Sequence, residues 1–457
     1  MEKIPKTNHD NWDMSGVEFL KPPEKSSEDQ AFEHLISAAE STSIEVLKNL
    51  NYTNPEAKTE FLADPTLERP HYEYGNLHPE QAVQNLEQIR ELRKVILGAD
   101  FAHKKQLILE EVLDFNARKN RFVLACAEYD QNPTFENKIA QQQANIALYG
   151  EPDEDTFWAL LNEKIDSIDP DALSPEDKTQ YDELLTMIGL RKRPAKGYYR
   201  PSEETIQRFR EGTQIFFESI FKHIPEDQEE FTPADAAKIA NDVIADILDD
   251  DTKWHAEVKP NASWASVGQT SKVISFPGKR NRGNYDRLSL TKILGHELGT
   301  HALRAMPFEN ADISMFRTGF PNNETFDEGI AKAVEQTLDD EYEPAGADRY
   351  IGIGLANFLH TNFRETFEIQ CRLQHLTGND NESPIFDDVS RCFRGTGVLP
   401  NNKDLAYFNG SVKAWKYIEE NIDNPMLFDN LFLSGKVDAT DRDQMYLSYE
   451  EKSGGMD

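Results

Sequence analysis

His296, Glu297 and His301 lie inside one apolar stretch, LSLTKILGHELGTHALRAM (288–306). Leu290, Ile293, Leu294, Leu298 and Leu303 mark it as a helix with a buried face. A lone histidine on such a face is usually a packed core residue. Two of them with an acid directly after the first are a poor fit to that reading, because buried ionisable groups are costly unless paired or metal-bound. Chance would place an HExxxH string in a chain of this composition only about 0.03 times. The chemistry such a string suits is metal binding by the imidazoles, with the glutamate as an acid–base group. The spacing is unusual. Histidines at i and i+5 stand about 140° apart on an ideal α-helix. A metal site therefore requires a wide turn or π-bulge within 296–301, and Gly299 lowers the cost of forming it.

A catalytic zinc site usually has three protein ligands and one open position. The segment TFDEGIAKAVEQTL (325–338) reads as a second amphipathic helix, with Ile330, Ala331 and Val334 on its packing face. Glu328 on that helix is the expected third ligand, and Asp327 is its nearest competitor.

The elements that must position these groups are mostly helical. Apolar periodicity predicts helices near 79–96, 104–127, 134–148, 155–167, 203–223, 288–306, 325–338, 347–375 and 402–421. Thr232-Pro233 predicts the start of another, running to Leu248. WHAEV (254–258) and KVISF (272–276) read as short strands, while 169–178 and 191–201 read as connectors. The expected fold is α+β and mostly helical: a helical N-terminal half, and a zinc-metallopeptidase-like half with a small sheet. The expected division is a polar, partly mobile segment at 1–60, a helical region at 61–230, a catalytic region at 231–430 and a tail at 431–457.

Composition narrows the partners. The 457 residues carry 82 acidic against 49 basic side chains, a formal charge of −33. Such a chain is a poor candidate for gripping nucleic acid or an anionic membrane. No apolar run approaches a membrane span, and the opening MEKIPKTNHDNWDMSG has no secretory pattern. Three scattered cysteines fit reduced thiols, so a cytoplasmic protein is expected. KRNRGNYDR (279–287) is a basic island between the second strand and the histidine helix, suited to attracting acidic peptide tails.

HELGTH (296–301) followed by DEGIA (327–331) resembles the bacterial QEGLA-motif proteins and their animal relatives, the microtubule-associated tyrosine carboxypeptidases. RCFRGTG (391–397) and KDLAYFNG (403–410) are similar to the family as well, and ALYGEPDEDTFWALL (147–161) is a weaker likeness. Asp327 and Ile330 replace the bacterial Gln and Leu, and Asn310-Ala311 stands where Asn-Gly is the pattern. The resemblance implies a zinc metallopeptidase whose metal is held by His296, His301 and Glu328, with Glu297 as the catalytic glutamate. It also draws attention to Tyr407 and Arg394 as candidates for stabilising an oxyanion. A carboxypeptidase must in addition hold a terminal carboxylate. Arg391 and Arg394 are the leading cations for that, with Arg364 behind them.

The reading that follows is a zinc-dependent carboxypeptidase acting on the C-terminal tails of peptides or proteins. An endopeptidase or aminopeptidase would share the metal site but need no carboxylate anchor. The rival from another class is a non-catalytic, zinc-stabilised regulatory or scaffold protein. Such a protein would need the ligands but not Glu297.

Overall fold

Local signals start and stop the helices. Thr232 and Asp235 form a capping box, with Pro233 in the first turn, and open the helix Pro233–Ile247. Ser174 and Pro175 likewise open Pro175–Met187, inside a segment expected to be a connector. The pattern at 347–375 divides into Ala347–Phe358 and Phe363–Leu376. His360 takes a left-handed backbone (φ 56°) between them, and Asn362 with Glu365 caps the second helix.

The computed structural model describes residues 27–452, except 100, 102, 190–192, 249–252, 261, 263, 279–283, 310, 312, 340 and 341. Most of the basic island therefore lies outside the described residues. The architecture is mostly helical α+β, as expected, with a small sheet. No helix among the described residues is long and apolar enough to cross a membrane.

The chain forms two compact units, each assembled from separated segments. One comprises Ser27–Arg200 and Pro344–Lys413. Its core joins Phe61, Phe157, Trp158 and Leu161 to Tyr350, Phe363, Phe367 and Phe386. The described part of the segment expected at 1–60 to be polar carries the helices Ser27–Ser41 and Val46–Leu50 and the start of Glu56–Ala63. Their apolar positions are sparse but buried: Phe32, Ile36 and Ala39 on the first, Phe61 on the third.

The other unit contains Pro201–Glu343 and Ala414–Asp457. His255–Lys259 pairs parallel with Val273–Pro277, which pairs antiparallel with Ser266–Gly268. Lys272 has a positive φ, so the second strand starts one residue later than its pattern suggested. The side-chain amide of Asn241, on the helix Pro233–Ile247, both donates to and accepts from the backbone of Ala256 (2.9 and 2.8 Å). That clamp satisfies the outer edge of the first strand. The C-terminal stretch is structured too, with a wide-turn helix at Asp429–Leu433 and an α-helix at Arg442–Lys452. Phe209, Phe216, Phe217, Phe428 and Phe432 stack into one aromatic core of this unit.

Candidate metal centre

Asp286 caps the helix Arg287–Ile293 by accepting from the Ser289 amide (2.7 Å). The helix then widens, and Leu294–Ala302 is a π-helix. With i→i+5 hydrogen bonds, five residues come close to one full turn, so the wide turn required by the histidine spacing is present. Thr300 sits within it, and its hydroxyl donates to the Gly295 carbonyl (3.0 Å), a group five residues earlier. Two glycines also let this segment pack closely. A Cβ on Gly295 would stand 3.1 Å from Val334, and one on Gly299 would stand 3.1 Å from the Phe217 ring. Close packing brings the helix Asn323–Thr337, which carries Glu328, against the histidines.

His296 and His301 are consequently neighbours, with Nε2 atoms 3.2 Å apart and ring planes at 78°. Glu328 presents one carboxylate oxygen 3.9 Å from each Nε2. The ligand atoms of His296, His301 and Glu328 all lie within 4.8 Å of one another. Hydrogen bonding decides what this arrangement can hold. Nδ1 of His296 meets a Glu335 oxygen at 2.5 Å, and Nδ1 of His301 meets Asp327 Oδ2 at 2.7 Å. Ionised carboxylates only accept, so each Nδ1 carries a proton and Nε2 is the atom each ring has left to offer a cation. At that distance the two Nε2 atoms share a cation, a proton on His296 when no metal is bound or a metal ion in its place. The donor set fits a divalent metal that favours nitrogen ligands plus one carboxylate.

The surrounding charges hold the rings in this orientation. Burial disfavours a charged His296, but the hydrogen bond and charge of Glu335 outweigh it and lift the metal-free imidazole to about 9. Metal must therefore displace a proton there. Burial likewise pushes Glu335 upward, yet His296 and Lys332 (2.8 Å) bring it down to about 2. Asp327 is more heavily supported. Its Oδ1 accepts from Arg304 (2.5 Å), and Oδ2 from both His301 and Lys436 (each 2.7 Å). Burial opposes its charge, but Lys436, His301 and Arg304 hold the carboxyl well below its ordinary range. Arg304 is wholly buried and also donates to the Val437 carbonyl. Backbone bonds from Lys436 to Phe316 (2.7 Å) and from Phe320 to Lys436 (3.1 Å) fix the strap that delivers the lysine.

The structure thus separates the two acids that competed in sequence. Glu328 faces the Nε2 pair, and Asp327 buttresses His301 from behind. Glu297 is buried (7% exposed), and its carboxylate takes no hydrogen bond from any described residue. Sequence reading did not single out Glu335, Arg304 or Lys436. Glu335 and Arg304 had a faint signal, lying seven residues after Glu328 and three after His301 on their own helices. Lys436 had none.

Arg391, Arg394 and Tyr407 belong to the other unit. Arg391 is paired with the buried Asp404 (2.5 Å) and donates to the Tyr407 oxygen (3.2 Å). Arg364 is spent on the chain itself. Its Nε and Nη2 donate to the carbonyls of Leu67, Phe61 and Asp64 (2.9, 3.0 and 2.8 Å).

Residues 201–453, more than half of the chain, match the microtubule-associated tyrosine carboxypeptidase family. The chain belongs to that family. No curated protein and no solved structure matches it at a significant level. The matched span contains all of His296, Glu297, His301 and Glu328, and it extends past Lys436. The likeness at 147–161 falls outside it. Membership makes this chain one of a carboxypeptidase family, and so a hydrolase.

The buttress carries a prediction of its own. Lys436→Met should weaken metal binding roughly 10- to 100-fold, the usual cost of losing a group that orients a ligand, while Lys436→Arg should largely restore it. Metal competition against a chromogenic chelator measures this. Equal affinities for wild type and Lys436→Met would show that Asp327 needs no second cation.

Proposed function

We propose that this chain is a cytoplasmic, zinc-dependent carboxypeptidase that removes the terminal residue from peptide or protein tails. One observation carries the reading: two imidazole Nε2 atoms 3.2 Å apart, with both Nδ1 atoms committed to carboxylates and Glu328 placed before both. His296, His301 and Glu328 would hold the zinc, and three protein ligands leave one position open. When bound, zinc supplies a Lewis acid for the scissile carbonyl and lowers the pKa of water at the site.

The remaining work belongs to Glu297. Its carboxylate receives the proton of the attacking water and hands it to the departing amine nitrogen. A nearly buried acid with no hydrogen-bond partner among the described residues is suited to that exchange. A structural zinc site has no use for it. Glu335 and Asp327 keep both imidazole rings in the tautomer that leaves Nε2 free.

A peptide library with varied C-terminal residues, tyrosine among them, tests the reading by mass spectrometry. The expected result is loss of one C-terminal residue, abolished by chelator and restored by zinc. C-terminal amidation should slow cleavage roughly 10²-fold or more, as expected for losing a charge-assisted carboxylate contact. Equal rates on free and amidated peptides would favour an endopeptidase. Absence of any cleavage would leave the scaffold alternative.

A further inference from the structure

The unit made of Ser27–Arg200 and Pro344–Lys413 has its own concentration of charge. Three guanidiniums, Arg349, Arg391 and Arg394, gather around two carboxylates, Asp388 and Asp404, in a chain whose net charge is −33. Arg349 donates to Asp388 (3.0 Å) and stands 3.8 Å from Asp404. Arg391 pairs with Asp404 at 2.5 Å. Both guanidiniums also lie over the Tyr407 ring, with centroids 4.8 and 5.5 Å away. These contacts use up both acids. Arg394 remains, on the turn directly after the helix Glu382–Cys392.

Its guanidinium has no hydrogen bond and no ion pair with any described residue, although it is only partly exposed. Burial pulls it below its ordinary value, and the like charge of Arg391 adds to that, against a partial offset from Asp404. Tyr52, Tyr149 and Tyr407 are polar groups within its electrostatic reach. A half-buried arginine ordinarily finds an acceptor, since its five donors are costly to strip of water. Here the protein holds it beside another cation, and Asp404, paired with Arg391, makes no ion-pair contact with it. Arg349 and Arg391 are each about a fifth exposed, so solutes can reach the cluster.

We propose that this cluster is an oxyanion-binding site, with Arg394 as the receiving guanidinium and Arg391 and Arg349 as its flanking cations. The ligand chemistry is a planar or tetrahedral oxyanion able to take two N–H donors from one arginine. A peptide's C-terminal carboxylate and free phosphate both meet it. Arg391 and Tyr407 are positioning residues in this view: Asp404 fixes Arg391, and Arg391 fixes the phenol. The proposal stands apart from the metal reading, because it needs neither zinc nor hydrolysis.

The test uses the full chain, with and without chelator, and isothermal titration calorimetry. The probes are an acetylated peptide with a free C-terminus, its amide, and inorganic phosphate. The expected result is binding of the free peptide, of phosphate, or of both in competition, unaffected by chelator. Amide affinity should be roughly tenfold lower or weaker. Arg394→Gln should lose that binding at an unchanged thermal midpoint. Arg394→Lys, which keeps the charge but not the fork, should retain part of it and covers the case in which the glutamine variant fails to fold. Peptide binding identifies a carboxylate site, and phosphate binding alone identifies a phosphate site. The proposal is overturned if neither probe binds, or if both variants bind as wild type does. Failure of hydrolysis with intact Arg394-dependent binding would overturn only the enzyme reading.

Discussion

Glu297→Gln should yield a folded, metal-loaded protein whose peptide hydrolysis is about 10²–10⁴-fold slower, the usual contribution of a general acid–base group. The substitution keeps the size of a side chain that is almost buried and removes only its ability to accept a proton. It breaks no hydrogen bond with a described residue, so the thermal midpoint should stay close to wild type. Activity on a cleavable peptide, metal content and thermal denaturation, measured on one preparation, separate these effects. A variant with full activity would remove Glu297 from the chemistry. Equal inactivity of wild type and variant towards every C-terminus would instead favour the scaffold reading.

His301→Ala and Glu328→Gln should do the opposite, stripping metal and activity together. Each removes one of three ligand groups, and the remaining pair cannot compete with solvent for the ion. Because metal binding is coupled to folding, both variants should also lose the stabilisation that added zinc gives wild type. That stabilisation is about 2.7 kcal/mol at zinc a hundredfold above its dissociation constant. Asp327→Asn provides the contrast. Asp327 touches His301 Nδ1, Arg304 and Lys436, so its loss should weaken the metal roughly 10- to 100-fold without abolishing binding. It should also destabilise the fold, since two buried cations lose their shared partner. Metal analysis after exhaustive dialysis, together with zinc-dependent melting curves, measures both. If Glu328→Gln kept its zinc while Asp327→Asn lost it, the third-ligand assignment would pass to the aspartate.

The amino-acid sequence by itself determined the candidate metal-binding group and the distortion it needs. His296, Glu297 and His301 lie within six residues, and the geometry of one helix is a local matter. An i, i+5 pair either points apart or demands a wide turn, and the chain supplies Gly295, Gly299 and Thr300 to form it. Helix starts were legible for the same reason, since a cap depends on residues three apart. Legibility fell where apolar positions were sparse in sequence, as in 27–63, or where one backbone residue broke a continuous apolar pattern, as at His360.

Only the tertiary structure decided which acid faces the Nε2 pair and which supports His301 from behind. Asp327 and Glu328 are adjacent on one helix, and their roles depend on partners that spacing cannot reveal. Lys436, 109 residues further along the chain, meets Asp327 because a backbone strap to Phe316 and Phe320 carries it there. The same holds for the arginines. Arg391 and Arg394 look equivalent in RCFRGTG, yet Asp404 pairs in contact with the first and not with the second. Electrostatic pairing in a folded protein is settled by which charges share a buried space, and that information is spread over the whole chain.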